Sequence, residues 1–519
     1  MKNTTTHVLS RRDFLQRTSQ LSVGAAAMPW LLNLAAMGEA AAFNTASGSD
    51  YKALVCLFLY GGNDYANTFV PYDATSYNLY KNARSNLALT QAELASTVLV
   101  ANGSATSTVL TPQTPPQTVT GSGTGLQFAL HPVMPEMASL FNTQKAAVVF
   151  NVGPLAGPTT LAEYNNGKRP LNLYSHSDQQ NYWQSGPVLG SGWGGRTADV
   201  ALANGMNGAS GANTFTCVSI TSNAVFLTGS NASQYHVGTS GAVKIGPAYA
   251  SVYGNSSAAS TFMSLIRGTS YTPSNKLEID YVNMAKRSMD AETTVSSTVS
   301  GQTIATTLAS GKSTLNPLWD QLRMVAKMIK ARGSLSGGVR RQVFMVAVNG
   351  FDLHSNFTAG QKSLLAQVND AVEAFYRATV ELGVQNQVTT FTATDFGRAL
   401  TSNGDGTDHG WGSHNLVVGG AVKGGQFYGY APPVNATNNT VGSTKPEEQF
   451  NVGNGRLLPT ISIEQYGATL ASWFGANATD IQNIFPTLSS RYGAYATTAY
   501  TNGVKYPGDL GFMQPYTFA

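Results

Sequence analysis

The chain has 519 residues, enough to bury a large core as one domain with insertions or as two to three smaller domains. Only 11% of the residues are charged while Gly, Ser, Thr and Asn are abundant, so neutral polar groups and loops must cover the surface, as is common in exported proteins. The formal net charge is +4, half of it from Lys2, Arg11, Arg12 and Arg17 set against Asp13 and Glu39. The near-neutral remainder excludes the clustered basic charge that a nucleic-acid partner needs.

At the N-terminus, Ser10 to Gln16 (SRRDFLQ) looks like a twin-arginine export signal. A moderately apolar stretch from Leu21 to Met37 follows, broken by Pro29 and Asn33, and Ala40 to Ala42 offer small residues to a signal peptidase. The other reading is an ordinary amphipathic N-terminal helix. As a signal, residues 1–42 would engage the twin-arginine translocase, deliver an already folded protein to the periplasm or beyond, and lie outside the fold. No other segment offers about 18 uninterrupted apolar residues, so no mature membrane span is expected. The expected organisation is a single domain over 43–519 with insertions near 101–125, 255–311 and 432–455.

Lys52 to Tyr60 is an unbroken apolar run that ends at Gly61-Gly62, the pattern of a strand buried on both faces. Lys145 to Gly153, Arg340 to His354 and, more weakly, Asn386 to Arg398 repeat it. Between the last two, Gln361 to Leu382 puts Leu364, Leu365, Val368, Val372, Phe375, Tyr376 and Val380 on one helical face. Strand, helix, strand is the signature of a parallel sheet, hence an α/β fold. Asn275 to Val295 reads as a further helix with its apolar face on Leu277, Ile279, Tyr281, Val282 and Met284. Cys56 and Cys217 each sit in an apolar run, which favours buried thiols over a single bridge.

Three of the four strands end at a turn carrying an acid: Asp64, Asp352 and Asp395. Alone, each could be a turn-forming or helix-capping aspartate. Together, at the carboxyl ends of parallel strands where ligands bind, they are candidates for one shared site. Four clusters carry the chemistry: GGND at 61–64, YSHSDQQNYWQSG at 174–186, NGFDLHSN at 349–356, and TATDFGRALTSNGDGTDHGWGSH at 392–414.

That set, with HPVMPEMASLF at 131–141, GWGGR at 192–196 and GGAVKGGQFYG at 419–429, resembles the bacterial secreted proteins catalogued as domain of unknown function 1501, relatives of the alkaline phosphatase and sulfatase superfamily. The resemblance implies an α/β/α sandwich with a mostly parallel sheet and a metal site at its carboxyl edge. It implies metal ligands at Asp64, Asp352, His354, Asp395 and His409. Zinc or manganese, one or two ions, suits carboxylate and imidazole ligands. The pattern departs from phosphatase relatives where Asp352 and His354 stand only two apart and where Phe396 replaces a second histidine.

Ser175, with Ser177 second, is the candidate nucleophile at the start of a helix whose dipole would favour an anionic substrate, and His176 a ligand or acid. Either serine could equally be a helix cap. Arg398 could hold substrate oxygens in a fork, cap its own helix, or pair with a core acid. Asp408 and His414 are secondary candidates beside His409, and His131 reads as structural. Trp411 could wall a pocket. Neither cysteine stands in a formylglycine motif. The expected activity is hydrolysis of a phosphate or sulfate ester on an anionic small molecule or polysaccharide. The alternative is a non-catalytic envelope or surface protein that retains the fold, and a phosphomutase or transferase is a weaker third.

Overall fold

Residues Lys52–Leu59 are buried at every position, as an apolar run without a polar face requires, and they form the central strand of the molecule. The computed structural model describes residues 50–101, 105–106, 118–119, 126–187, 190–207, 212–243, 254–269, 273, 275–335, 338–432, 449–492, 499–501, 504–506 and 508–514. The export leader expected over residues 1–42 lies outside them. So does most of the expected insertion at 101–125, of which Ala105–Thr106 and Thr118–Val119 pair antiparallel, and the part of the insertion near 432–455 that spans 433–448.

In chain order the elements that matter here are β1 (Lys52–Leu59), α1 (Ala74–Arg84), β2 (Ala146–Gly153), α2 (His176–Ser185), α3 (Trp193–Ala203), β3 (Cys217–Ser219), β4 (Gln234–Gly238), β5 (Gly241–Ala242), α4 (Lys276–Thr298), α5 (Pro317–Lys330), β6 (Arg341–Val348), α6 (Phe357–Glu381), β7 (Val388–Thr394), β8 (Arg398–Ser402), β9 (Thr407–His409), β10 (Ser413–Val418), β11 (Phe427–Tyr428), β12 (Ile461–Ser462) and α7 (Ile463–Phe474). The main sheet runs β11-β2-β10-β7-β1-β6-β3-β4-β5, with β12 also on β2. β1 pairs parallel with both β6 and β7, and β10 runs against its neighbours β7 and β2.

Both faces of the sheet are covered, which makes the expected mixed α/β sandwich. Ala53, Val55, Leu57 and Leu59 of β1 share a core with Leu322 and Val325 of α5 and Leu365, Val368 and Val372 of α6. On the opposite face Phe58 meets Trp183 of α2 edge-on at 6.4 Å, and Phe391 of β7 lies 5.5 Å from Trp193 of α3 and 5.9 Å from Tyr466 of α7. Each such side chain contributes about 1.5–3 kcal/mol by leaving water. Cys56 and Cys217 are buried and free, so the thiol reading holds.

Two expectations about helical faces need correction. Of the residues expected inward on α4, Leu277, Ile279, Tyr281 and Met284 are exposed and only Val282 is buried. The helix instead buries Met289, Ala291 and Val295, near its C-terminal end, and the last two join the core. On α6, Val380 is also exposed, while the rest of its stripe is buried or packed against the core. That helix starts four residues before the expected position, after Asn356 in the left-handed region at φ 49°.

Candidate functional site

The sheet register makes the site. Leu59 pairs with Val348 on one side and Thr394 on the other, so β1, β6 and β7 end level and their exit loops emerge side by side. Gly61, at φ 111°, turns the chain where a side chain would run into the backbone of Asp352, and a Cβ on Gly62 would strike the Phe396 ring. The two glycines therefore let the loop after β1 lie against the loops carrying Asp352 and Asp395.

Five of the expected residues meet there, among them His176 from the start of α2. Asp352 Oδ1 lies 3.0 Å from His354 Nε2, 3.2 Å from His409 Nε2 and 2.7 Å from Arg398 Nη1, and its Oδ2 is 3.4 Å from His176 Nε2. The His354 and His409 Nε2 atoms are 3.0 Å apart. Two of the three imidazoles hydrogen-bond an acceptor through the other nitrogen, and the third lies near a carboxylate. His176 Nδ1 donates to Asp395 Oδ2 at 2.6 Å, His409 Nδ1 donates to the Tyr174 carbonyl at 2.8 Å, and His354 Nδ1 is 3.5 Å from Asp408 Oδ1. Such outer partners fix the tautomer and leave Nε2 as a lone pair.

Burial lowers the pKa of His409, which keeps that ring neutral, and a carbonyl oxygen can only accept, so the proton sits on Nδ1. Its Nε2 lone pair then faces the Asp352 carboxylate, an arrangement that a cation stabilises. For Asp352, burial pushes the pKa up, but the hydrogen bond and charge of Arg398, with His354 and His176, outweigh it and hold the carboxyl below its ordinary range. His176 is pushed up, first by its hydrogen bond to Asp395, against the opposing effect of burial. Two buried atoms here lack a hydrogen-bond partner among the described residues, His176 Nε2 and Asp395 Oδ1. His176, Asp352 and His409 form a group whose ligand atoms all lie within 4.8 Å of one another, so the residues present fit a metal ion.

The other candidates sit differently. Asp64 does not join the cluster: it caps the turn at Asn67, and its Oδ2 forms a fully buried ion pair with Arg84 of α1 at 2.6 Å. Arg84 also holds Asn67 Oδ1 and the carbonyls of Ala399 and Leu400, so this network ties the β1 loop to α1 and β8. Asp395 stands behind His176 rather than beside Asp352. Its Oδ2 accepts from His176, from Gln180 at 2.8 Å and from the Gly61 N–H at 3.3 Å. Arg398 is buried and committed to Asp352, the Gly61 carbonyl and Thr407, which leaves no open fork for substrate.

Ser175 caps α2 and donates to Asp178 Oδ2 at 2.5 Å, while the Ser177 hydroxyl lies 3.3 Å from that of Ser175. Among the described residues, no hydrogen bond joins either serine to a histidine of the cluster. His414 is remote in chemistry: buried against Tyr65, Phe69 and Phe150, it accepts the Asn151 N–H, and burial pushes it down to about 3. His131 is likewise buried, at about 4, as a structural histidine. Trp411 is buried and hydrogen-bonded to the Pro154 carbonyl. Phe396 packs its ring on His176 and His409, at 4.8 and 4.7 Å.

Sequence reasoning missed Tyr174, whose carbonyl orients His409, and Arg456, which donates from Nε to the His409 carbonyl at 2.7 Å. Tyr174 adopts φ 78°, rare for a bulky residue, and such strain costs on the order of 1–3 kcal/mol. Its place beside His176 in the YSHSDQQ run was the one available signal.

A protein-family model described as "Protein of unknown function (DUF1501)" matches residues 51–448. No curated protein matches the chain. Two solved structures, "Crystal structure of Ps i-CgsB in complex with k-i-k-neocarrahexaose" and "Crystal structure of Ps i-CgsB", are similar at a TM-score of 0.32, with 11% and 10% identity, over 85% of this chain and 77% of theirs.

Proposed function

The chain belongs to the DUF1501 family of proteins of unknown function, and from its histidine and aspartate cluster we propose that it is an exported, metal-dependent hydrolase of phosphate or sulfate esters. The observation that carries this reading is the convergence of three imidazole Nε2 atoms on Asp352, with the His176 and His409 rings held from behind through Nδ1. His176 Nε2, Asp352 and His409 Nε2 would hold zinc or manganese. Such an ion, when bound, lowers the pKa of water and offsets charge on a phosphoryl or sulfuryl oxygen.

The protein's own groups do the rest. Asp395 and the Tyr174 carbonyl keep His176 and His409 in the tautomer that points a lone pair inward. Arg398 pins Asp352 and keeps it ionised. His354, the most exposed of the three histidines, carries protons between the site and solvent through Nε2. With Ser175 occupied as a cap, water is the nucleophile. Kinship with the alkaline phosphatase and sulfatase superfamily, a twin-arginine leader and a periplasmic or secreted location belong to the same proposal. Among the described residues no helix is long and apolar enough to cross a membrane.

The commitment of both serines to the helix start also favours a second reading, a protein that keeps the metal and binds a ligand without turning it over. The test is turnover of aryl phosphate and aryl sulfate esters by metal-loaded protein beside Asp352→Asn and His409→Gln. Turnover lost in both variants supports the hydrolase. Bound metal with no turnover of either ester class supports the binding protein.

A further inference from the structure

Next to His409 the surface changes character. Tyr164 and Tyr174 meet through their hydroxyls at 3.2 Å, and both rings rest on the small core of Leu155, Trp411 and Leu458. A guanidinium lies over each ring: Arg456 over Tyr174 at 5.1 Å and Arg169 over Tyr164 at 5.6 Å. Arg456 spends Nε on the His409 carbonyl, but its two Nη groups, and the whole guanidinium of Arg169, have no protein acceptor among the described residues. Lys168, next to Arg169 in sequence, is spent differently, on Glu163 and the Pro158 carbonyl. Arginines held over tyrosine rings with N–H groups free are pre-organised donors for an oxyanion.

We propose that Tyr164, Tyr174, Arg169 and Arg456 form a substrate subsite that takes a second anionic group, carried on a sugar or aryl ring whose ester lies at the histidine and aspartate cluster. This rests on the hydrolase reading for the position of the ester and deepens it by naming the substrate class: a ring with at least two anionic substituents. Proximity sets the reach, because Arg456 is bonded to the backbone of His409 itself. The fork of a guanidinium matches phosphate, sulfate and carboxylate alike, so the claim concerns the second charge and the ring that carries it.

The test is calorimetric binding of glucose 1,6-bisphosphate, glucose 1-phosphate and inorganic phosphate to the purified full-length mature protein. The wild type should bind the bisphosphate about ten-fold or more tighter than the monophosphate, as one or two charge-assisted hydrogen bonds allow. Arg169→Gln, at an exposed position, should erase most of that preference while leaving metal content and monophosphate affinity unchanged. Arg169→Lys, which keeps the charge but not the flat fork, should restore only part. Equal affinity for the two sugar phosphates, no binding of either, or a preference that survives the Arg169→Gln, Arg456→Gln double variant overturns the subsite. Inorganic phosphate binding as tightly as the bisphosphate also overturns it, because the ring would then contribute nothing. If the preference depends on Arg169 but no ester is turned over, the subsite stands and the hydrolase reading falls. Ester turnover without the preference does the reverse.

Discussion

Replacing Asp64 with asparagine separates two roles that an aspartate at a strand end can play. Its carboxylate and the Arg84 guanidinium are both buried, with side chains 2% and 0% exposed, and lie 2.6 Å apart. Asp64→Asn keeps the volume and an acceptor for the Asn67 N–H but leaves the Arg84 charge uncompensated in the interior. Breaking such a pair from one side costs about 3–5 kcal/mol. A unit spanning Asp50–Thr517 unfolds with an entropy of about 1 kcal/mol per kelvin, so the melting temperature should fall by about 3–5 °C. Metal stoichiometry should not change, because the cluster at Asp352 does not include Asp64. The assay is calorimetric melting paired with metal quantification on the same preparation. Loss of bound metal from Asp64→Asn with an unchanged melting temperature would refute the reasoning and return Asp64 to the ligand set.

Three further outcomes follow from the same geometry. Asp395→Asn removes the carboxylate that orients His176 and should weaken metal affinity about 10- to 100-fold, by competition with a chromophoric chelator, with the far-ultraviolet spectrum unchanged; undiminished affinity would place Asp395 outside the site's support. Ser175→Ala should cost about 1 kcal/mol of stability through the lost cap and leave any ester turnover in place, whereas abolished turnover at unchanged stability would make Ser175 the nucleophile. Burial holds His131 down to about 4 and His414 to about 3. The unfolded chain protonates these rings near pH 6.5 while the folded chain does not, so their contribution is complete above about pH 6.5 and is lost on acidification, by about 1.4 kcal/mol per unit for each ring, down to about pH 4 and 3. Urea midpoints should be level between pH 8 and 7 and fall between pH 6 and 5; a flat profile across both intervals would contradict this.

The parallel sheet was legible because β1, β2, β6 and β7 are buried on both faces, and a buried strand leaves an unbroken apolar run in the sequence. Asp352 was legible because it follows a strand end, whereas His354 and His409 stood in the site only through the family resemblance. Asp64 looked the same in sequence. What separates it is Arg84, a partner on another element whose side chain reaches it only after the chain has turned through α1. The exposed face of α4 failed for a related reason. Periodicity identifies which residues share a stripe, but the neighbour that covers the stripe is a tertiary fact, and here contact falls on Met289, Ala291 and Val295. The role of Tyr174 rests on a strained backbone and a carbonyl oxygen, neither of which residue type reveals.

His176, Asp352 and His409 together are proposed to hold a metal ion. The most direct measurement is metal content by mass spectrometry on protein purified without chelators and resupplied with zinc or manganese, followed by X-ray absorption on the loaded sample. The account predicts about one equivalent per chain, a first shell of imidazole nitrogen and carboxylate oxygen near 2.0–2.2 Å, and loss of the metal in a His176→Gln, Asp352→Asn double variant that still folds. Correctly folded wild type that takes up no stoichiometric metal, or a double variant that keeps it, would contradict the account.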